Sequence, residues 1–202
     1  MGSRRVVLGI AGLALALAVA LVARAMRPAP PLGVFGAVPE FRFVDERGAP
    51  FSNATMAGHV AVVDFVFTHC TSSCPRLTKR MGELQSRLAR DGSDARLVSF
   101  SVDPENDTPP VLAAYAAKAG ADLGRWTFVT GPADDVTKVV VQGFKMSAAK
   151  VAKGAADYDV VHGDWFVLVD RQGRIRGYYA TDDPDGMTRV GDDAERLDRG
   201  KS

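Results

Sequence analysis

The chain has 202 residues, of which 47% are hydrophobic and 24% are charged, and its formal net charge at pH 7 is +1. This composition suits one globular domain with a real core. Residues 1–27 contain four arginines and no acidic residue. Subtracting their charge from the net +1 leaves −3 for residues 28–202. A mildly acidic domain without basic runs gives no support for nucleic-acid binding, and no nucleic-acid partner is expected.

The first 27 residues contain a charge-free stretch of 18 residues, 6–23, flanked on both sides by arginines. A transmembrane helix needs roughly 17–25 residues, whereas the apolar core of a signal peptide usually has about 7–15. We therefore expect residues 1–27 to be a membrane anchor. A cleaved signal segment is the alternative, because Ala23-Arg24-Ala25 has the A-x-A pattern of a cleavage site.

The same segment suggests where the protein resides. Almost no sequence precedes the apolar stretch that could serve as an organelle transit peptide, which favours a bacterial cell envelope. We expect a single N-terminal anchor in the bacterial cytoplasmic (inner) membrane, with the domain facing the periplasm or the outside. Residues 28–40 are rich in Pro and Gly and predict an extended tether between membrane and domain.

Residues 41–181 contain the predicted domain, and residues 182–202 a polar tail with at most a short helix. The domain begins with two short strands around Gly48. Residues 59–67, HVAVVDFVF, are nearly all apolar, which is typical of a central strand buried on both faces. The next segment, Cys74 to Arg90, has apolar residues at helical spacing and predicts a helix.

Further strands and helices alternate after this helix. ARLVSFSVD predicts a second buried strand, and a helix follows with Thr108 as N-cap, Pro109 as its first residue and Gly120 as its stop. RWTFVTG predicts a strand, PADDVTKVVVQGF a helix, and DWFVLVD with RIRGYYA a closing hairpin. This order predicts a mixed sheet with helices on both faces. A cysteine motif after the first long strand makes the expected fold a thioredoxin-like α/β domain.

The cysteine motif, FTHCTSSCP at residues 67–75, holds the only two cysteines, Cys70 and Cys74. A structural disulfide across four residues would constrain the unfolded chain little, which argues against a staple. If the helix begins near Cys70, the two β-carbons lie about 5–6 Å apart, against roughly 3.8 Å in a disulfide. A helix N-terminus also stabilises the thiolate. The pair is therefore predicted to be a redox-active pair or a metal clamp.

Two sulfurs alone make an incomplete metal site, and three histidines are candidates for a third ligand. His59 is expected in a surface turn. The side chain of His69 is expected to point away from that of its neighbour Cys70, because side chains of successive residues diverge. His162 lies just before a strand, Trp165–Val169, that should run beside the strand leading into Cys70. Two thiolates and one imidazole suit copper, whereas structural zinc would take four ligands. The residues alone leave the role of His162 open.

The chain resembles the Sco/SenC family, the membrane-anchored copper proteins of cytochrome c oxidase assembly. The resemblance spans residues 41–180 and the N-terminal anchor. It rests on FTHCTSSCP at residues 67–75, SVDPENDTP at residues 101–109 and VVHGDWFVLVD at residues 160–170. It implies a thioredoxin-like fold and a copper site formed by Cys70, Cys74 and His162. No ligand role follows for Asp103 or Asp107.

The resemblance implies a copper chaperone whose recipient is the binuclear copper site of cytochrome c oxidase subunit II. Such a protein is mainly a metallochaperone. The alternative is a thiol-disulfide reductase that keeps the cysteines of a copper-receiving partner reduced, for which the redox-active pair Cys70 and Cys74 suffices. A copper or redox sensor is a third possibility. A carrier should need His162, whereas a pure reductase should tolerate its loss.

Overall fold

The computed structural model describes residues 30–146, 150–153, 157–160 and 164–200. The chain divides into two units, and the second, Leu32–Ser202, contains nearly all of the described residues. None of the helices within these ranges is long and apolar enough to cross a membrane. The expected anchor, residues 1–27, lies outside the described residues.

The centre of the fold is an eight-stranded mixed sheet with the order β1-β10-β9-β4-β5-β6-β2-β3. Strands β4, β5 and β6 are parallel, and the other pairings are antiparallel. β7 and β8 form a separate hairpin that the sequence analysis did not predict. The strands are β1 (Gly36–Ala37), β2 (Arg42–Asp45), β3 (Pro50–Ser52), β4 (Ala61–Val66), β5 (Arg96–Ser101), β6 (Trp126–Thr130), β7 (Lys150–Lys153), β8 (Asp157–Val160), β9 (Trp165–Val169) and β10 (Arg174–Ala180).

The helices are α1 (Asn53–Met56), α2 (Cys74–Arg90), α3 (Pro109–Ala119), α4 (Ala133–Lys138) and α5 (Gly186–Asp198). α4 continues into one π-helical turn, Val139–Gly143. α3 starts and ends as predicted, since Pro109 is its first residue and Gly120 ends it in the left-handed conformation with φ 67°. α2 likewise spans the predicted residues.

The core has two halves, one on each face of the sheet. On one face, α2, α3 and α5 pack their apolar residues against Val62, Val66 and Trp126. On the other face, α4 and its π-helical turn pack against Val63, Phe65 and strand β5. Strand β4 supplies alternate side chains to both halves, so all six of its residues are buried. This confirms the predicted central strand and the mixed sheet with helices on both faces.

The tether expected at residues 28–40 belongs partly to the sheet. β1 pairs with β10, and the Phe35 amide donates to the Ile175 carbonyl at 2.9 Å. The buried Arg176 donates to the carbonyls of Leu32 and Gly33 and pairs with Asp170 at 2.9 Å. Pro and Gly content did not reveal this pairing, because backbone hydrogen bonds to a strand far along the chain leave no local composition signal.

The polar tail expected at residues 182–202 instead contains the 13-residue helix α5. Its buried positions Val190, Ala194 and Leu197 recur at helical spacing and join the core beside α2. Its charged residues are paired, since Arg87 of α2 contacts Asp192 and Glu195. The expectation of at most a short helix was wrong, because acidic composition concealed a narrow apolar stripe.

Candidate metal centre

The cysteine motif connects the end of β4 to the start of α2. Cys74 is the first residue of the helix, Ser73 is its N-cap and Pro75 lies in its first turn. Cys70 lies in the preceding loop, where its amide donates to the Phe67 carbonyl at 3.2 Å. The two cysteines therefore do not share a face of the first helical turn, because the helix begins four residues later than that arrangement requires.

Both cysteines are thiols, and their environments differ. Cys74 is 1% exposed and packs in the core, whereas Cys70 is half-buried at the surface. The amide of Cys74 donates to Sγ of Cys70 at 3.3 Å, and the hydroxyl of Ser72 lies 3.6 Å from the same sulfur. Cys70 is thus the thiol that another molecule meets first, and its sulfur faces the start of the helix.

The pKa values of the two thiols shift in opposite directions. Burial acts to raise the pKa of Cys70, but hydrogen bonds from Cys74 and Ser72 outweigh it and lower that pKa. Burial raises the pKa of Cys74 far above its usual value, and its hydrogen bond to Cys70 raises the pKa further. When the reduced pair loses its first proton, Cys70 is therefore the thiol that ionises, while Cys74 stays protonated.

A buried carboxyl group lies on the same face of the sheet as Cys74. Asp64 is fully buried in β4 and accepts a 2.5 Å hydrogen bond from Ser99 at Oδ1, while Oδ2 has no hydrogen-bond partner among the described residues. Burial raises the pKa of Asp64 to about 7, and its charge is one of the causes that raise the pKa of Cys74. Asp64 was not among the predicted site residues, although an Asp inside an apolar strand was a signal.

Asp107 connects the cysteine motif to the SVDPENDTP segment. Its carboxylate accepts hydrogen bonds from the amide and the hydroxyl of Thr68, the latter at 2.5 Å, and from the hydroxyl of Ser101 at 2.6 Å. Asp107 is fully buried. This contact fixes the loop two residues before Cys70, which gives Asp107 a positioning role that the sequence did not show.

His69 lies close to two carboxylates. Within the described ranges, ligand atoms of His69, Asp103 and Asp107 lie within 4.8 Å of one another. Both oxygens of Asp107 already accept hydrogen bonds, and Oδ2 of Asp103 accepts one from Asn106 at 2.8 Å. The carboxylates of Asp103 and Asp107 thus hold the loop through hydrogen bonds. His69 and the two cysteines are not brought together as a ligand group.

His162 lies outside the described residues, so its predicted role as a ligand stays a prediction. The strand that follows it is described, and β9 pairs with β4 as expected, with Val167 opposite Val63. Asp164, two residues after His162, forms an ion pair with Arg76 in the first turn of α2. The chain after His162 is therefore tied to the helix that begins at Cys74.

Comparison with known proteins places this chain in a family. The sequence model of SCO1/SenC matches residues 33–191. The SCO1 protein homolog of Bacillus subtilis is 35% identical over 139 residues, which cover 68% of this chain and 70% of that protein.

Two solved structures share the fold. BsSco, described as a member of the Sco family of cytochrome c oxidase assembly proteins with a disulfide switch, is 32% identical. Its TM-score is 0.71, and the match covers 84% of this chain and 96% of that one. ScoI of Bradyrhizobium japonicum, solved with copper bound, is 23% identical with a TM-score of 0.68, covering 80% and 99%. These likenesses confirm the thioredoxin-like fold, and the chain belongs to the SCO1/SenC family.

Proposed function

We propose that the protein is a copper chaperone that holds one copper ion through Cys70, Cys74 and His162. Its recipient is the binuclear copper site of cytochrome c oxidase subunit II, and residues 1–27 anchor it in the bacterial cytoplasmic membrane with the domain facing the periplasm or the outside. The observation that carries the proposal is the unequal thiol pair at the start of α2, in which Cys70 has a lowered pKa and is half-buried.

The donor set suits this cargo. Thiolates are soft ligands that favour Cu(I), and the sulfur of Cys70 already lies within hydrogen-bond distance of the helix start that stabilises its charge. The shared fold with ScoI, which was solved with copper bound, agrees with copper as the metal. A half-exposed site also suits transfer, because an incoming thiolate can attack without displacing a complete ligand shell.

The ion pair between Arg76 and Asp164 supports His162 as the third ligand. Arg76 is two residues after Cys74, and Asp164 is two residues after His162. Because neighbouring Cα atoms are about 3.8 Å apart, the Cα atoms of His162 and Asp164 are at most about 8 Å apart. Asp164 itself contacts the first turn of α2. An imidazole at that position can be directed toward the thiols.

The test is a Cu(I) titration of the reduced protein against a competing chelator of known affinity. Cys70→Ser, Cys74→Ser and His162→Ala should each lower the affinity by at least about 100-fold, since losing even an outer partner of a ligand costs roughly 10–100-fold. His69→Ala is the matched control and should leave the affinity unchanged. Equal affinities of His162→Ala and wild type would refute the three-ligand site.

A thiol-disulfide reductase is the second candidate, and the opposite pKa shifts favour it. A partly exposed thiol with a lowered pKa beside a buried, protonated thiol is the arrangement of an attacking and a resolving cysteine. Its reduction potential would then lie near the roughly −270 mV of a reducing dithiol. Disulfide reduction that persists in His162→Ala, together with weak copper binding by the wild type, would favour this function over copper delivery.

A further inference from the structure

A groove of about 620 Å³ lies between α2 and α3 and begins at Cys70. Near Cys70, the hydroxyls of Thr78 and Tyr115 form a 2.6 Å hydrogen bond that joins the two helices. At the other end, the side chain of Gln85 accepts a hydrogen bond from the Asp122 amide at 2.8 Å. The groove thus has a thiol at one end and a fixed floor along its length.

Gly82 lies on the floor of this groove, in the interior of α2. A Cβ added there would meet its nearest neighbour, the ring of Trp126, at 4.0 Å, which is an ordinary contact. Glycine inside a helix is destabilising relative to alanine, so neither packing nor backbone conformation explains it. Its effect is to leave the floor open, which lets the backbone of another chain approach closely.

The rims of the groove carry a small excess of positive charge. Lys79 and Lys118 line it together with Glu83. Lys79 and Glu83 are 3.9 Å apart and largely exposed, so this pairing is weak. Lys118 forms no ion pair with any other described residue. Lys118 is therefore the positive charge on the rim that is left to face an acidic segment.

We propose that the groove docks an extended, acidic, cysteine-bearing segment of the protein that exchanges thiols with Cys70. The cysteine of the segment lies at the Cys70 end, its backbone passes over Gly82, and its acidic side chains face Lys118 and Lys79. The proposal rests on the proposed function, because it requires a partner thiol. It adds the surface that selects the partner, since Cys74 is buried and only Cys70 can be reached.

Two ten-residue peptides serve as probes, one with three Glu and one with three Lys after a single cysteine activated as a thionitrobenzoate disulfide. The Cys70 thiolate attacks the peptide sulfur, a new disulfide joins the two, and thionitrobenzoate leaves as a coloured thiolate. With the reduced full chain in mild detergent and low salt, the acidic peptide should react about tenfold faster than the basic one. High salt should reduce this difference.

Variants separate docking from intrinsic thiol reactivity. Lys118→Glu should reduce the preference for the acidic peptide about fivefold. Lys138→Glu, the same change on α4 across the sheet, is the matched control and should leave the preference intact. Gly82→Gln should slow the reactions of both peptides about tenfold, while the reaction of Cys70 with free dithiobis(nitrobenzoate) keeps its wild-type rate.

If Gly82→Gln does not fold, Gly82→Ala provides the test, because it should raise Tm by about 2 °C and still slow the peptides. Equal rates for the two peptides, or wild-type peptide rates in the folded Gly82 variants, would overturn the docking surface. Cu(I) titration of Gly82→Ala keeps the two proposals apart. Normal copper affinity with unselective peptide rates rejects the groove alone, whereas weak copper binding by the wild type rejects copper delivery alone.

Discussion

Asp64 gives the sharpest test of the physical account of the site. The carboxyl group is fully buried in the central strand, and no cationic side chain is among the causes that set its pKa. Replacing it by Asn keeps the size and the acceptor for the Ser99 hydroxyl, and it removes the charge. The structure predicts that this one change abolishes a pH dependence of the folding free energy.

The sign and size follow from the two pKa values of Asp64, 3.8 ordinarily and about 7 in the folded protein. Because the folded pKa is raised, the contribution of Asp64 to stability is complete below pH 3.8. It is lost as pH rises and is gone just above about 7. Each pH unit in this interval is worth about 1.36 kcal/mol, so the loss is about 4 kcal/mol.

The assay is guanidinium unfolding of the reduced protein between pH 4 and 8, followed by tryptophan fluorescence. The difference in free energy of unfolding between wild type and Asp64→Asn should shift by about 4 kcal/mol in favour of the variant as pH rises from 4 to 8. Asp182→Asn, at an exposed position, is the control and should show no such shift. A difference that stays constant across this range would show that the buried carboxyl group does not titrate there.

Three further predictions concern the surroundings of the pair. Iodoacetamide at pH 7 should alkylate Cys70 at least about tenfold faster than Cys74, as located by tandem mass spectrometry; equal labelling would contradict the assigned asymmetry. Asp107→Ala leaves buried donors without an acceptor and should lower the free energy of unfolding by about 3 kcal/mol in guanidinium titration; a change below about 0.5 kcal/mol would argue against its role. Arg176→Met should lower it by roughly 3 kcal/mol and speed amide exchange in β1, since the carbonyls near β1 and the carboxylate of Asp170 lose a buried donor; unchanged exchange would show that Arg176 does not hold β1 against the sheet.

The fold was predictable where local signals agree with the tertiary structure. The apolar run of β4 predicts burial on both faces, and Thr108, Pro109 and Gly120 predict the ends of α3. The predictions failed where contacts are distant along the chain. β1 depends on strand β10, and α5 depends on the surface of α2, so their Pro/Gly-rich and acidic compositions were misleading.

The candidate site divides in the same way. Cys70 and Cys74 were predictable because one short segment holds both of them beside a helix start. Their unequal burial was not, because it depends on where the helix begins and on how the preceding loop is held. Asp107 holds that loop across 39 positions of sequence, which no local pattern indicates.

The asymmetry of the pair connects the fold to both proposed chemistries. The loop before α2 places Cys70 outside and Cys74 inside, and burial together with the charges of Cys70 and Asp64 opposes a second thiolate. The thiol of Cys74 therefore loses its proton favourably only when a bound cation or a covalent bond to its sulfur compensates the negative charge. Cu(I) binding and disulfide formation both supply that compensation, so both should release a proton from Cys74. It follows that copper affinity should rise with pH in the wild type, and potentiometric titration during Cu(I) addition would detect the released proton.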